Sequence, residues 1–248
     1  MAGARPRTAV RTAVVWEVLR DALAALAPDG RSLQVLDVGG GTGGFAVPLA
    51  ELGHQVTVVD PSPDSLAALE RRAAESGTSG QVRAVQGDVA GLADVAAAGS
   101  VDLVLCHSVL EVVDDPAVAL AAVVQVLRPG GMASILAANR VAAVVARVAA
   151  GRLAEARRLL DDPSGWAGEG DPLARRFTVD ELSALATAAG LRPRLTHGVR
   201  VFADVVAAAV VDGDADAARD LLALEHAAAD RPDYIAVAAQ LHLLADRA

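Results

Sequence analysis

The sequence predicts a doubly wound α/β fold on a mostly parallel sheet, with an N-terminal helix before it and a helical insert after the fifth strand. Three observations carry that reading. Short β-branched runs alternate with helical stretches as far as residue 138. A glycine-rich turn, Gly39-Gly40-Gly41-Thr42-Gly43-Gly44, follows the first run. Acids, Asp37, Asp60 and Asp88, stand at or just beyond the ends of the first three runs. Strands alternating with helices at this spacing build parallel sheets through right-handed crossovers.

Taken in order, Thr8–Ala27 places Val14, Val15, Val18, Leu19, Leu23 and Leu26 on one helical stripe, and Pro28-Asp29-Gly30 ends it. Leu33–Val38 is a short apolar run leading into glycines, which suits a buried strand. Phe45–Leu52 reads as a helix, Gln55–Val59 as a strand and Ser65–Glu75 as a helix. Gln81–Val85 is a third strand, with a short helix expected after Gly87-Asp88. Val101–Cys106 is the fourth strand. Pro116–Leu127 is a helix stopped by Pro129-Gly130-Gly131, and Met132–Ala138 is the fifth strand. From Asn139 the rhythm breaks, and residues 139–177 are expected to form a cap within a single domain spanning 1–248. Thr178 with Glu181 three residues on is a capping box that opens another helix. Arg192–Thr196 and Tyr234–Leu243 complete a seven-stranded sheet, with a helix around Asp216–Ala229 between them.

Composition narrows the function. The 248 residues are 53% hydrophobic, enough for a sizeable core, yet only 2% aromatic. A net charge of −9 argues against a protein that coats nucleic acid. Every basic residue apart from histidine is arginine, so Schiff-base chemistry, a phosphate-loop lysine and Tyr-Lys dehydrogenase pairs are excluded. A lone Cys106 excludes a disulfide framework and a cysteine-based zinc site. The longest stretch without a charged residue, Val38–Ala50, is 13 residues, too short to span a bilayer. Arg5 and Arg7 have no apolar core behind them, so no signal peptide is expected. The expectation is a cytoplasmic protein, monomer or homodimer, without metal or membrane partner.

The glycine turn fits two templates. Gly39, Gly41 and Gly44 satisfy the dinucleotide pattern G-x-G-x-x-G. Asp37, Gly39, Gly41 and Gly43 satisfy acid-x-G-x-G-x-G, typical of domains that bind S-adenosylmethionine (SAM). A pyrophosphate needs bare N–H groups at a helix start, and Asp37 would repel it. SAM brings an ammonium and a sulfonium, for which a carboxylate is a suitable partner. Asp60, 17 residues after Gly43, stands where an acid accepts both ribose hydroxyls. Asp88, with Val89 beside it, stands where an acid can accept from the adenine amine; the alternative for Asp88 is a helix cap.

Carrying these residues, the stretch Leu33–Ala138 resembles class I, Rossmann-like SAM-dependent methyltransferases. The likeness includes Val56–Asp60, Val101-Asp102-Leu103-Val104 and Val126-Leu127-Arg128-Pro129-Gly130-Gly131. A narrower resemblance is to the tRNA 5-carboxymethoxyuridine methyltransferases. It is carried by His107–Pro116, Val10–Trp16, Gly198–Phe202 with Asp204, and Leu222–Tyr234. That family esterifies a carboxylate on a wobble uridine. The resemblance implies that Arg11 reaches the SAM carboxylate, Gly39 and Gly40 its amino-acid end, Asp60 the ribose and His107 the cofactor's flank. The chain departs from the family at Ala138, where an aromatic precedes the asparagine, and at Ala238, Ala239 and Gln240, which replace an arginine and an aromatic. Each missing aromatic removes a stacking platform for a base, a contribution of about 1–3 kcal/mol.

The remaining candidates concern the acceptor. His107 is read as a wall of the cofactor pocket, with a catalytic base and a packing histidine as alternatives. His107 and Glu111 are spaced for a metal, but no third ligand is evident. Cys106 is read as a buried core residue. Residues 140–176 hold seven arginines against five acids, and Arg192, Arg194 and Arg200 form an acid-free cluster. Asn139, Arg140 and Arg200 are the candidates for binding an anionic acceptor, small molecule or tRNA. For 140–158 the preferred reading is a solvated helix face with internal ion pairs. The expected activity is methyl transfer from SAM to a carboxylate or hydroxyl oxygen. The competing readings are a small-molecule methyltransferase, a SAM-binding module without catalysis and an NAD-dependent oxidoreductase.

Overall fold

The run ahead of the glycines is extended: in β1 (Gln34–Val38), Val35, Leu36 and Val38 are buried, as a central parallel strand requires. The computed structural model describes residues 6–248, with side chains from Val10 onward, so the readings placed on Arg5 and Arg7 lie outside the described side chains. Parallel to β1 on either side lie β2 (Gln55–Asp60) and β4 (Val101–His107), and β3 (Val82–Gln86) pairs with β2. The register sets Asp37 opposite Val58 and Leu105. With β5 (Leu127–Ala138), β6 (Leu191–Val199) and β7 (Gln240–Arg247), the sheet order is β3-β2-β1-β4-β5-β7-β6. The order reverses between β1 and β4, and such a reversal opens a crevice at the carboxyl ends of the two strands.

Local chemistry explains the helices. The stripe expected on α1 (Pro6–Leu26) is buried from Val14 to Leu26. Helix α2 (Ala46–Glu51) starts directly from the glycine turn. Helix α3 (Pro63–Glu75) has Pro63 in its first turn and Ser62 accepting from the Ser65 N–H. A 3₁₀ turn (Val89–Gly91) precedes α4 (Leu92–Val95), and Asp115 caps α5 (Pro116–Val126). The expected insert helix breaks at Gly151, which adopts φ 72, into α6 (Arg140–Ala149) and α7 (Leu153–Asp161). The capping box of α8 (Val179–Ala188) is closed, with Glu181 accepting from the Thr178 N–H at 2.8 Å and Thr178 from the Glu181 N–H at 3.3 Å.

Three expectations need correction. The fifth strand starts at Leu127, because that residue is already extended, at ψ 139. The last strand starts at Gln240 rather than Tyr234, since Pro232 initiates a helical turn over Pro232–Ile235. Ahead of α10 (Ala215–Ala228) lies a further helix, α9 (Ala208–Gly213), and the Pro232 turn is α11.

The chain clusters into two compact units, with boundaries inside α1, β5, α8, β6 and β7. The sheet unit comprises 22–135, 184–194 and 244–248; the insert unit comprises the residues up to 21, 136–183 and 195–243. Within the sheet unit, the buried Asp102 carboxylate gathers Arg31 (2.7 Å), Arg128 (2.5 Å) and the Gln34 N–H (2.7 Å). Burial raises its pKa, but these partners outweigh burial and hold the carboxyl below its ordinary value. The insert unit packs Val10, Ala203, Val211 and Leu221 together, with Phe202 alongside. It holds Trp16, Trp166, Phe177, Phe202 and Tyr234, whereas Phe45 is the sheet unit's single Phe, Tyr or Trp.

Candidate functional site

At the carboxyl ends of β1 and β2, the glycine turn folds back over its own acids. The Gly39 N–H donates to the Val59 carbonyl at 2.7 Å, and the Gly43 N–H to Gly40 at 2.9 Å. Gly39 adopts φ 69, and a Cβ there would lie 2.7 Å from Val109 Cγ2. A Cβ on Gly40 would lie 2.5 Å from the Asp37 carboxylate. No side chain fits at either position, so glycine is what lets the turn close against Val109 and the Asp37 carboxylate.

Asp37 is 2% exposed, and among the described residues its Oδ2 has no hydrogen-bond partner. Burial, then the charge of Asp60, pushes its pKa up to about 7. A buried carboxylate with an unused oxygen is what a cationic ligand group would satisfy. Asp60 accepts from the Gly41 N–H and the Ser62 N–H, both at 2.9 Å. These two bonds lock the carboxylate against the glycine turn and leave further lone pairs for hydroxyl donors. The Gly87 N–H donates to the Asp60 carbonyl at 3.2 Å, so the third strand's end adjoins the second's. Asp88 is exposed and caps the turn after β3, accepting from Ala90 at 2.9 Å and Gly91 at 3.2 Å. Val89 is buried beside it.

His107 ends β4 with Nε2 2.8 Å from Ser134 Oγ on β5, and its ring meets Phe45 edge-on at 4.8 Å. Burial lowers its pKa to about 3, so the ring is neutral at physiological pH and too weak a base to take a hydroxyl's proton. That geometry fits a wall rather than a catalytic base. The Cys106 thiol is fully buried and pushed up to about 12, by burial first and then by Glu111 and Asp37, in keeping with a core residue. The structure thus brings Asp37, Gly39, Gly40, Gly41, Asp60, Asp88, Val89 and His107 together in the sheet unit.

The other candidates lie in the insert unit. Arg11 pairs with Asp204 at 2.5 Å, and Arg200 bonds the other oxygen of the same carboxylate. Arg140 is held by the Pro163 carbonyl and by Glu181, both at 2.5 Å. Asn139 is buried; its amide donates to the carbonyls of Ala236 at 3.0 Å and Ala238 at 2.8 Å, and its Oδ1 caps α6. Asn139 and Arg140 therefore serve the insert unit's own structure. Sequence reasoning missed Glu225, 1% exposed, which accepts from the N–H groups of Val201, Phe202 and Ala203 at 2.7–2.9 Å. A signal was present: Glu225 shares a helical stripe with the buried Leu221 and Ala228. Also unforeseen is Ser134, the partner of His107. Among the described residues no cluster of three His, Cys, Asp or Glu side chains could hold a metal, and no helix is long and apolar enough to cross a membrane.

Residues 36–135 match the family described as the methyltransferase domain. The tRNA 5-carboxymethoxyuridine methyltransferase of Escherichia coli K12 is 38% identical over 133 residues, 52% of this chain and 49% of that protein. A ubiquinone biosynthesis O-methyltransferase of Methylocella silvestris is 36% identical over 157 residues, 63% of this chain and 57% of that protein. The chain thus spans about half the length of the curated relatives it matches. Among solved structures, a 1,6-didemethyltoxoflavin-N1-methyltransferase of Burkholderia thailandensis, bound to its substrate and S-adenosylhomocysteine, is 25% identical with a TM-score of 0.54. The match covers 94% of this chain and 80% of that one. A SAM-dependent methyltransferase of Methanosarcina mazei shares the fold, with a TM-score of 0.60 at 18% identity, over 87% of this chain and 92% of that one.

Proposed function

We propose that this protein is a SAM-dependent methyltransferase of the class I type that methylates an oxygen acceptor, with a carboxylate as the preferred acceptor group; the match of residues 36–135 to the methyltransferase domain and the likeness to methyltransferase relatives support it. The observation that carries the reading is Asp37: a buried carboxylate oxygen without a partner, beside a glycine turn that admits no side chain. SAM supplies a methyl group on a positively charged sulfur. Asp37 offers that cationic ligand its counter-charge, and Asp60, fixed by two backbone N–H groups, accepts from hydroxyls. Gly39, Gly40 and Gly41 let backbone approach the ligand. Phe45 and His107 form an uncharged wall that excludes water.

In such a transfer the acceptor oxygen provides the electron pair of the new carbon–oxygen bond, and the electrons of the broken carbon–sulfur bond return to sulfur. A carboxylate is already ionised at neutral pH and requires no base, which agrees with a His107 held near 3. Catalysis then rests on alignment rather than proton transfer.

For the acceptor, a tRNA wobble uridine carrying a carboxylate is supported by the likeness to the E. coli enzyme. A small metabolite is supported by the net charge of −9 and the scarcity of aromatics, both of which disfavour a nucleic-acid partner, and by the likeness to ubiquinone biosynthesis O-methyltransferases. Methyl transfer from labelled SAM to bulk tRNA, to tRNA lacking the final methylation and to a small-metabolite extract tests both. Label in the tRNA that falls steeply with salt supports the first, and label in the extract with a shallow salt dependence supports the second. Calorimetry that finds NAD binding without SAM binding would overturn the methyltransferase reading.

A further inference from the structure

Helix α6 reads Arg-Val-Ala-Ala-Val-Val-Ala-Arg-Val-Ala, and none of its residues is buried. Val141, Val145 and Val148 recur at i, i+4 and i+7, which puts them on one stripe, and all three are exposed. Ten residues of helix are marginal in water unless a face is packed. The arginine flank of α6 is held, since Arg147 bonds Glu155 of α7 at 2.8 Å, but the valine stripe is left open to solvent. Helix α7 repeats the pattern. It buries Ala156 and Leu159 and leaves Leu153 and Leu160, seven positions apart on one face, 64% and 73% exposed. With the exposed Trp166, these side chains leave on the order of 500 Å² of largely apolar surface uncovered, the upper end of what a monomer's largest patch reaches.

The charges choose among occupants. Arg140 holds Glu181, Arg147 and Arg152 hold Glu155, and Arg157 pairs with Asp161. Arginines with acids of their own offer little to the phosphates of a nucleic acid or of lipid headgroups. The hairpin instead suits a surface that is apolar and carries both signs, as the hairpin itself does. Arg157 and Asp161 stand four positions apart beside the leucines, both mostly exposed and 3.6 Å from each other. Where two α7 helices cross antiparallel about a two-fold axis, like flanks meet. The Arg157 of each copy then reaches the Asp161 of the other, and the leucines meet on the opposite side of the contact line. A groove of about 580 Å³ on the arginine flank, lined by Ala154, Arg157, Arg158, Asp161, Asp162 and Trp166, has room for the incoming guanidinium beside the indole.

We propose that the α6–α7 hairpin is the face through which two copies of this chain pair as a two-fold homodimer. Paired with itself, the patch buries about 1,000 Å², the size at which a specific interface begins. Residues 140–176 carry seven arginines against five acids in a chain of −9, so two copies meet there without opposing their excess acid.

Sedimentation equilibrium of the full chain, from micromolar to millimolar protein, tests the pairing. A mass twice that of the chain is expected at the upper end. Leu160→Glu should weaken association about thirtyfold or more, the loss of a central anchor. Its circular dichroism should match the parent's, because Leu160 is solvated in the single chain. Leu52→Glu, at an exposed leucine of the sheet unit, should leave association unchanged. Charge reversal reads the two-fold geometry. Arg157→Asp sets like charges against each other across the axis and should weaken pairing, and adding Asp161→Arg makes the face self-complementary again and should restore it. A chain that stays monomeric throughout, pairing that ignores Leu160→Glu, or a double reversal that recovers nothing overturns the proposal. So does a monomer that binds phosphatidylglycerol vesicles or bulk tRNA and loses that binding with Leu160→Glu, which would give the face to a membrane or to RNA.

Discussion

In the sheet unit Asp37 keeps an unbonded oxygen in a buried turn, whereas in the insert unit nearly every arginine that looked available to a ligand already holds an acceptor of its own. Arg140 bonds Glu181, Arg147 and Arg152 share Glu155, Arg157 reaches Asp161, and Arg176 is buried on Asp171. The contrast separates two uses of charge. A carboxylate left under-bonded raises its own pKa and waits for a cation; arginines matched by nearby acids stabilise a helical insert rich in alanine.

Removing the Arg176 guanidinium tests the structural side of this comparison and carries the largest expected effect. Arg176→Met leaves Asp171 buried without its partner, and thermal or urea unfolding should register a loss of about 3–5 kcal/mol. Affinity for S-adenosylhomocysteine should hardly change; a variant as stable as the parent would break the contrast. On the other side, Asp60→Ala should weaken S-adenosylhomocysteine about a hundredfold by calorimetry, with circular dichroism unchanged, since two hydroxyl contacts to a charged acceptor are lost.

Asp37 gives a sharper test because its two effects oppose each other. Its folded pKa, about 7, lies above its ordinary value of 3.8, so ionising it destabilises the free protein as pH rises through 7. Asp37→Asn should therefore stabilise the free protein at pH 8, by up to about 4 kcal/mol, while weakening S-adenosylhomocysteine. His107 works in the reverse direction. Its folded value of about 3 lies below 6.5, so the stability it contributes is present above pH 6.5 and is lost as pH falls towards 3. A His107→Gln variant should flatten that acid decline in a pH series of unfolding curves. The smallest effect belongs to Arg157→Gln: its pair with Asp161 is 3.6 Å long and mostly solvated, and stability should move by no more than about 0.5 kcal/mol.

How far the sequence could be read tracks the distance between interacting residues. The first four strands, Asp37 with its glycines and the capping box at Thr178 are local patterns that stand where the spacing put them, while the fifth strand begins earlier, at Leu127. The Tyr234–Leu243 strand was misplaced because an apolar run outweighed the helix-starting Pro232. Helix α9 is short and rich in alanine and valine, with no periodic stripe to mark it. The partners that define the sites come from far away: Ser134 is 27 residues from His107, Glu225 is 24 from Val201, and Asp204 is 193 from Arg11. Such pairings depend on how the chain folds back, which no local spacing encodes.

Both tryptophans, Trp16 and Trp166, fall in the insert unit, and the unit bearing the glycine turn has none. Indole emission is therefore a private optical channel for one half of this molecule. A denaturation curve followed by tryptophan fluorescence reports the insert unit alone, and a tryptophan introduced near Phe45 would supply the missing colour for the other. Curves that superimpose would show the halves melting as one cooperative body, and curves that separate would give each its own transition.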